Sequence, residues 1–401
     1  MAITDKKTGV WGLDQVYNKI NQGSIWIYPI HFFSWGRNDQ GQLGVNDTTQ
    51  YSSPVQVPGT TWAYATSGSY MTGDQNTAAI KTDGTLWMWG RNHSGELGQN
   101  NLTKYSSPVQ VGSDTTWNSG SYQKFTSGRS TGAIKTDGTL WMWGNNAHAQ
   151  LGQNNNTNCS SPIQIPGTTW NKINCGQSGS TAGVKTDGTL WMWGHNQWGN
   201  LGQNSRANYS SPIQIPGTNW DYVISSRNGQ YSTLGLKTDG TLWSWGYQLA
   251  GELGLNQGGP SYHSSPTQIP GTTWAKFDTA IRTTAAIKTD GTLWMWGGNH
   301  EGELGQNQQM SPSNAGYSSP VQIPGTTWDQ VHVGADSGSA DAFIHATKTD
   351  GTLWTWGAND NGQLGLNQGG SSGNRSSPTQ VPGSGWKIYP RGMSAIALLE
   401  P

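Results

Sequence analysis

Apolar and polar residues alternate in short runs, and one ten-residue run returns six times along the chain. Identical copies of KTDGTLWMWG span 81–90, 135–144, 185–194 and 288–297, and near-copies begin at Lys237 and Lys348. Within a copy, TAAIKT predicts a strand, Asp-Gly predicts a tight hairpin turn, and TLWMW predicts a returning strand. Side chains alternate across a strand, so Leu86 and Met88 are expected on one face and the two neighbouring tryptophans on the other. Both faces are apolar, which predicts further sheets above and below.

The Trp-Gly pair marks the repeat most clearly. It recurs roughly every 50 residues, the spacing expected of propeller blades or solenoid repeats. The seven tryptophans are Trp35, Trp89, Trp143, Trp193, Trp245, Trp296 and Trp356. An SSPxQ segment follows each pair, and its proline suits an edge strand. Because no 3.6-residue apolar period persists, a helical repeat is excluded.

The two ends of the chain carry complementary parts of one unit. The first Trp-Gly unit contains GSIWIYPIHFFSWG in place of the KTDGTLW phrase, and the C-terminal SAIALLEP matches TAAIKTDG. Pairing the last strands with the first would close a ring and remove an open sheet edge. The sequence therefore predicts an all-β fold. Residues 24–401 are expected to form a seven-bladed β-propeller with N- and C-terminal strand closure, and residues 1–23 a separate N-terminal arm.

The repeat resembles the regulator-of-chromosome-condensation type of propeller. The matching residues are the WGxNxxGQLG string, first present at 35–44, the SSPxQ strand and the AIKTDGTL hairpin. The likeness covers residues 24–401, and it implies seven blades of about 50 residues each.

The charge balance narrows the range of partners. Charged residues make up 11% of the chain, and the formal net charge is -1. This excludes an electrostatic surface for nucleic acid or anionic lipid. No apolar run is long enough to predict membrane insertion, and MAITDKKTGVWG lacks the apolar core of a signal peptide. Cys159 and Cys175 make no disulfide framework, and Cys159 is expected to be a free thiol, because its position holds Tyr in four other repeats.

The loop after each Trp-Gly pair is the best candidate for a binding surface. Most of the 23 tryptophans occupy repeated strand positions and are expected to pack blades together, but Trp198 lies in the polar loop WGHNQWGN. The loop keeps its length while its residues vary, as expected of specificity loops on a rigid scaffold. Its near-constant Asn is expected to stabilise the turn. The predicted glycan or protein contact residues are Arg37, Arg91, His93, His148, His195, Trp198, Tyr247 and His300.

The N-terminal arm contains one amphipathic pattern. Apolar residues recur at helical spacing in GVWGLDQVYNKINQG, with Asp14 in the first turn and Gly23 as a candidate end. A helix this short is marginal alone, so it is expected to pack on the propeller or to anchor the ring to another subunit or assembly. The candidate anchoring residues are Trp11, Leu13, Val16, Tyr17 and Ile20.

No catalytic constellation is recognisable in the sequence. Gly-x-Ser-x-Gly, a phosphate loop, HExxH and CxxC are all missing. The Asp of each KTDG is assigned to a turn, and the eight histidines lack metal-ligand spacing. The segment 359–362 lacks the acidic residues of a calcium loop. We therefore expect no enzymatic activity, no catalytic residue, no cofactor and no metal site.

Three classes of function are compatible with such a fold. The whole chain, including GLDQVYNKINQG, is similar to propeller proteins encoded by tailed phages of marine cyanobacteria. That resemblance implies a virion structural or adhesion protein, made in the host cytoplasm, that binds other virion proteins through its arm and contacts a host surface glycan or protein. The first alternative is a soluble lectin or protein-interaction propeller.

The second alternative is a guanine-nucleotide exchange factor, as in the eukaryotic members of the family. It is disfavoured for two reasons. Lys6, Lys7 and Lys19 are the only basic residues of the arm, and the inserts at 306–316 and 333–346 show no hairpin pattern.

Overall fold

The strands of the computed structural model form six four-stranded sheets and two two-stranded sheets. The structure describes residues 32–36, 38–68, 76–118, 120, 122–176, 178–225, 231–280, 282–312, 315–335, 341–360, 363–366, 371–388 and 397–399. The two-stranded sheets come from the two ends of the described chain: β1 (Phe33–Gly36) with β2 (Tyr51–Gln56), and β27 (Trp386–Ile388) with β28 (Ala397–Leu399).

The first three four-stranded sheets follow β2 in chain order. Sheet 1 contains β3 (Trp62–Gly68), β4 (Asn76–Lys81), β5 (Leu86–Gly90) and β6 (Tyr105–Gln110). Sheet 2 contains β7 (Phe125–Thr126), β8 (Ser130–Ile134), β9 (Leu140–Gly144) and β10 (Cys159–Ile165). Sheet 3 contains β11 (Trp170–Cys175), β12 (Ser180–Lys185), β13 (Leu190–Gly194) and β14 (Tyr209–Ile215).

The next three sheets repeat the same arrangement. Sheet 4 contains β15 (Trp220–Ser225), β16 (Ser232–Lys237), β17 (Leu242–Gln248) and β18 (Ser261–Gln268). Sheet 5 contains β19 (Trp274–Ala280), β20 (Thr283–Lys288), β21 (Leu293–Gly298) and β22 (Gly316–Ile323). Sheet 6 contains β23 (Trp328–Ala335), β24 (Ala342–Lys348), β25 (Leu353–Gly357) and β26 (Arg375–Val381). Every sheet is an antiparallel meander in chain order, so the predicted all-β repeat is confirmed.

The KTDG segment makes the hairpin between the second and third strands of a sheet. The Asp83 carboxylate accepts hydrogen bonds from the Thr85 amide (3.0 Å) and hydroxyl (2.7 Å), which hold the turn. Gly84 has φ of +79°, a conformation that favours glycine. The Lys81 ammonium lies 4.2 Å from the centre of the Trp87 ring. The same Lys–Trp stacking recurs in all six four-stranded sheets. The Lys, Asp, Gly, Thr and Trp of the KTDGTLW segment thus all stabilise the hairpin, which explains why the segment is repeated.

Facing pairs on the second and third strands have complementary sizes. Small residues face methionine in most sheets, as in Ala78 opposite Met88 and Ala182 opposite Met192. In sheet 6 the larger His345 faces the smaller Thr355. All of these side chains are buried. The combined volume of each facing pair is therefore kept similar while the individual residues change, as dense packing requires.

Neighbouring sheets are joined by one repeated contact at a main-chain carbonyl. The Gln42 carbonyl accepts hydrogen bonds from the Trp89 indole (3.0 Å) and the Thr77 hydroxyl (2.8 Å) of sheet 1. The Trp143 indole donates to the Glu96 carbonyl in the same way, at 2.8 Å. Each Trp-Gly tryptophan from Trp89 to Trp356 is buried and makes this bond to the preceding unit. The predicted role of these tryptophans in joining blades is confirmed.

Glycine is needed where the loop passes over the next tryptophan. Gly98 has φ of +70°, and a Cβ atom built there would lie 2.9 Å from the Trp143 indole nitrogen. That distance is too short for a real contact, so a side chain would displace the tryptophan. The same close approach to the next tryptophan explains the glycine that follows the loop leucine at Gly44, Gly152, Gly202, Gly254 and Gly305.

One sequence expectation about the inserts is wrong. Residues 333–346 were expected to be an insert without hairpin pattern, but β23 and β24 extend into this segment from both sides and pair with each other. Its apolar side chains, such as Val333 and Phe343, are buried. The sequence did not reveal these strands, because small residues such as Gly334 and Ala342 carry no strong strand signal. The predicted arm, 1–23, lies outside the described residues. The described residues contain two 3-10 turns and no α-helix, hence no helix that could span a bilayer.

Candidate functional site

The loops of neighbouring sheets meet at one edge of the fold. In a four-stranded meander, the connection between the first and second strands and the connection between the third and fourth strands lie at the same edge. We call this edge the loop face. The loop after Trp-Gly belongs to it, and so does Tyr231, immediately before β16. The contacts described below join the Trp-Gly loop of one sheet to the first connection of the next.

The constant Asn of the Trp-Gly loop is a structural residue, as predicted. Asn146 is fully buried, and its side-chain oxygen accepts a hydrogen bond from the Leu151 amide at 2.9 Å. Its side-chain nitrogen donates to the carbonyls of Asn155 and Thr157. Asn38, Asn92, Asn196, Asn299 and Asn359 make the equivalent bond to a leucine amide. The loop therefore has a fixed main chain on which other side chains vary.

Four of the predicted contact residues lie in one patch that spans sheets 2, 3 and 4. The imidazole rings of His148 and His195 are 4.6 Å apart, centre to centre. Trp198 lies 4.7 Å from the Tyr247 ring. Tyr231 connects the two pairs, since its ring lies 5.6 Å from His195 and 5.9 Å from Trp198. We call these five residues the aromatic patch.

Exposure and charge differ within the aromatic patch. His148 is exposed, Trp198 and Tyr247 are half-buried, and His195 is almost fully buried. Burial lowers the pKa of His195, and the neighbouring His148 lowers it further. His195 is therefore neutral at pH 7, and its Nδ1 atom has no hydrogen-bond partner among the described residues.

A groove opens beside the aromatic patch on sheet 3. It has a volume of about 560 Å³ and is lined by His195, Gln197, Arg206 and Asn208. The Arg206 guanidinium lies 5.7 Å from the Trp198 ring centre and 4.8 Å from that of Tyr262. Its Nε atom donates to the Gln197 carbonyl at 2.6 Å. Polar hydrogen-bonding groups thus share the site with aromatic rings.

Tyr231, Arg206 and Tyr262 were not selected from the sequence. Arg206 belongs to the variable part of the loop, where Asn156 occupies the equivalent position in sheet 2. Tyr262 faces Tyr247 across the β17–β18 pair. These two strands extend further toward the loop face than their counterparts in sheet 3. The sequence signal for this extension is the replacement of the constant loop Asn by Gln248 in this unit.

Among the described residues, Arg91, His93 and His300 lie apart from the aromatic patch. Arg91 donates from Nε to His93 Nδ1 at 3.2 Å, and its guanidinium is 4.0 Å from the buried Glu96. Arg37 lies outside the described residues, as do the anchoring residues Trp11, Leu13, Val16, Tyr17 and Ile20. The predicted ring of contact residues is thus divided into separate clusters in the described part of the chain.

His300 lies in an acidic cluster between sheets 5 and 6. Its Nδ1 atom is 3.2 Å from a Glu301 oxygen and 3.3 Å from an Asp341 oxygen. These three groups offer metal-ligand atoms within 4.8 Å of one another. The Asn374 amide also donates to Glu301 at 2.6 Å. The His300 imidazole thus lies close to two carboxylates.

Two of the buried glutamates beneath the loop face have raised pKa values. Burial raises the pKa of Glu303 to about 7; main-chain amide donors oppose this rise, and the Asp341 carboxylate adds to it. Burial likewise raises the pKa of Glu252, against the effect of main-chain donors and Arg282. Glu303 occupies the position of Gln42 and Gln150 in other units. Both glutamates bind main-chain amides of their own turn, which is a structural role.

Comparison with known proteins relates this architecture to a family. The chain is 27% identical over 349 residues to the human E3 ubiquitin-protein ligase HERC2, covering 83% of this chain and 7% of that protein. It is 27% identical over 344 residues to the ultraviolet-B receptor UVR8 of Arabidopsis thaliana, covering 84% of this chain and 62% of that one. The chain thus spans less than two thirds of the length of either relative.

Solved structures show the same fold at low sequence identity. Prp20p from Saccharomyces cerevisiae superposes with a TM-score of 0.71 at 17% identity, over 92% of this chain and 91% of that one. Human WBSCR16 superposes with a TM-score of 0.72 at 18% identity, over 93% of this chain and 100% of that one.

The family models cover most of the repeat region. The RCC1-like domain matches residues 31–343, and the regulator of chromosome condensation (RCC1) repeat matches residues 350–388. Together with the four-stranded sheets and the repeated Trp-Gly loops, these matches establish that the chain belongs to the RCC1-like domain family.

Proposed function

We propose that this protein is a non-enzymatic binding propeller of a tailed-phage particle. In this proposal a rigid frame presents the loop face to a protein or glycan, and residues 1–23 anchor the frame to other virion proteins. The protein is made in the host cytoplasm and is incorporated into the virion. The observation that carries the binding role is the aromatic patch, because side chains from three sheets converge there on an otherwise repeated frame.

The repeated frame supports a binding role. Buried Asn residues fix the main chain of six of the seven loops, so a side chain can change there without changing the loop. Specificity on such loops arises from the variable positions, and four of the five residues of the aromatic patch occupy these positions. Tyrosine and tryptophan are enriched at interfaces because they combine a large apolar surface with a polar group.

We further propose a seventh blade formed by both ends of the chain. Strand β27 begins with Trp386, as the first strand of each other sheet begins with tryptophan or follows one, and β27 contacts sheet 6. Strands β1 and β2 carry the FSWG and YSSPVQ sequences of third and fourth strands, and Phe32 and Val57 beside them pack with Trp62 and Trp89. Two strands from each end supply the four that a blade needs.

The relatives support a binding scaffold and leave its partner open. The yeast Prp20p structures concern binding to Gsp1p and histones and a complex with Kap60. A soluble protein-interaction or lectin propeller is therefore the second candidate, favoured by the polar groove at Arg206. A guanine-nucleotide exchange factor is the third, and a nucleotide-release assay on a small GTPase would test it directly.

Particle association separates the candidates. We expect the protein in mass spectra of purified particles, and a chain lacking residues 1–23 should fold with the same thermal midpoint but fail to co-purify. A Trp198→Ala, Tyr247→Ala double variant should enter particles normally and adsorb poorly to the host. Absence of the protein from particles would refute the virion role, and normal adsorption of the loop variant would refute the loop-face role.

A further inference from the structure

The groove is lined by the positively charged Arg206 side chain, and the outer edge of its guanidinium makes no hydrogen bond to the described residues. Arg206 is stacked against Trp198 and Tyr262, and its Nε atom is bound to the Gln197 carbonyl. Among the described residues no carboxylate pairs with Arg206, and its two terminal nitrogens donate no hydrogen bond. A guanidinium that is stacked on its faces and fixed at Nε is preorganised to bind a carboxylate through its outer edge.

His195 provides an independent indication of a ligand. The residue is 9% exposed, it lines the groove, and its Nδ1 atom has no hydrogen-bond partner among the described residues. A buried polar atom without a partner is costly unless something else satisfies it. The nitrogen of a neutral imidazole either donates or accepts, depending on its tautomer.

The other lining groups favour hydroxyl ligands. The Asn208 side-chain oxygen accepts from the Asn196 amide at 2.8 Å. Its side-chain nitrogen, which makes no bond to the described residues, is therefore fixed in orientation and free to donate. Gln197 adds a second side-chain amide, which both donates and accepts. Sugar hydroxyls also both donate and accept, so they match these groups better than an acidic peptide does.

We propose that this groove binds a carboxylate-bearing saccharide, such as a uronate or a sialate. The carboxylate pairs with Arg206, and the ring hydroxyls bond to His195 and the two amides. The volume of about 560 Å³ is within the range of small-ligand sites, about 300–1,000 Å³. The lining comes from one loop, 195–208, which suits a ligand of one or two sugar units rather than an extended chain. This inference deepens the proposed binding role of the loop face and rests on it.

The chain offers a matched control at the equivalent position of sheet 2. Asn156 is exposed there and corresponds to Arg206, while His148 corresponds to Trp198. Arg206→Asn gives sheet 3 the residue of sheet 2. Adding Asn156→Arg to that variant restores the net charge of the protein but places the cation in a loop that lacks the tryptophan.

Titration calorimetry on the full chain tests the proposal with four probes. These are a galacturonate oligosaccharide, sialyllactose, the neutral sugar lactose and a glutamate-rich peptide. We expect one of the two acidic sugars to bind, lactose to bind at least about tenfold more weakly, and Arg206→Asn to weaken acidic-sugar binding about tenfold to a hundredfold. The double variant with Asn156→Arg should be as weak as Arg206→Asn alone.

Each other outcome overturns the inference. Equal binding of lactose would show that the carboxylate contributes nothing, and recovery by Asn156→Arg would show that net charge alone suffices. Tighter binding of the peptide than of either acidic sugar would assign the groove to a protein partner, and no binding of any probe would refute the site. Loss of host adsorption by the Trp198→Ala, Tyr247→Ala variant would in those cases still support the wider loop-face role, so the two failures are distinguishable.

Discussion

Replacing Glu303 with glutamine should make the protein more stable above neutral pH and leave its stability unchanged in acid. Glu303 is 3% exposed, and one carboxylate oxygen accepts the Glu301 amide at 2.9 Å. Glutamine is already accommodated at this position, because Gln150 accepts the His148 amide at 2.8 Å in the same way. The substitution therefore removes an ionisable group and keeps the hydrogen bond.

The expected gain follows from the raised pKa. The folded protein binds the Glu303 proton with a pKa of about 7, against 4.5 for an ordinary glutamate. Between these values the folded state holds more protons than the unfolded state, so the free energy of unfolding falls as pH rises. The loss is complete above pH 7 and amounts to about 3 kcal/mol at 1.36 kcal/mol per pKa unit. Glu303→Gln should recover this amount at pH 8 and nothing at pH 4.

Urea denaturation from pH 4 to pH 9, followed by tryptophan fluorescence, measures the effect. His345 acts in the opposite direction, since burial, followed by the neighbouring His332, lowers its pKa to about 4. Its unfolded form binds a proton more readily, so its contribution to stability is lost as pH falls from about 6.5 to 4. Between pH 4.5 and 6.5 the effects of Glu303 and His345 on the free energy of unfolding should nearly cancel in the wild-type protein. In Glu303→Gln only the effect of His345 should remain, so the free energy of unfolding should rise with pH over this range.

The control is Glu96→Gln. Glu96 has the Arg91 guanidinium at 4.0 Å, so its replacement removes an attractive contact and should give no gain at pH 8. Equal stability of Glu303→Gln and wild type at pH 8, or an equal gain at pH 4 and pH 8, would refute the reasoning from burial.

Three further substitutions test the packing and the loop. Thr355→Met should destabilise the protein by about 1–3 kcal/mol through overpacking against His345, and adding His345→Ala should restore much of this loss in a chemical denaturation cycle. Trp143→Phe should cost about 1–3 kcal/mol because the bond to the Glu96 carbonyl is lost; the half-buried Trp141→Phe should cost less in the same assay. Asn146→Ala should cost about 3 kcal/mol because it leaves buried amide and carbonyl groups without partners, whereas the exposed Asn156→Ala should change the unfolding midpoint little.

The strands could be predicted from sequence because each repeated phrase contains its own local signals. Alternation places Leu86 and Met88 on one face, and Asp83-Gly84 marks the turn, so β4 and β5 follow from residues that are close in sequence. The capping role of the loop Asn followed in the same way. The lack of a disulfide between Cys159 and Cys175 was also expected from their number.

The candidate site could be predicted only in part. Trp198 was selected because a tryptophan is unusual in a polar loop, and His148, His195 and Tyr247 because they vary. Their grouping depends on Tyr231, which belongs to another connection of another sheet. The separation of His300 into an acidic cluster depends in the same way on Asp341. Contacts between sheets are not encoded in the spacing of a single repeat, so pattern analysis of one unit cannot find them.

The main-chain carbonyl that joins neighbouring sheets has a consequence for how this protein can diversify. The acceptor belongs to glutamine, glutamate or asparagine in different units, and the bond to the tryptophan remains because the backbone supplies the oxygen. Mutation can therefore alter the chemistry of one unit without loosening its attachment to the next. Exchanging whole Trp-Gly loops between units should accordingly yield folded proteins with new surfaces, which makes this chain a suitable scaffold for directed evolution.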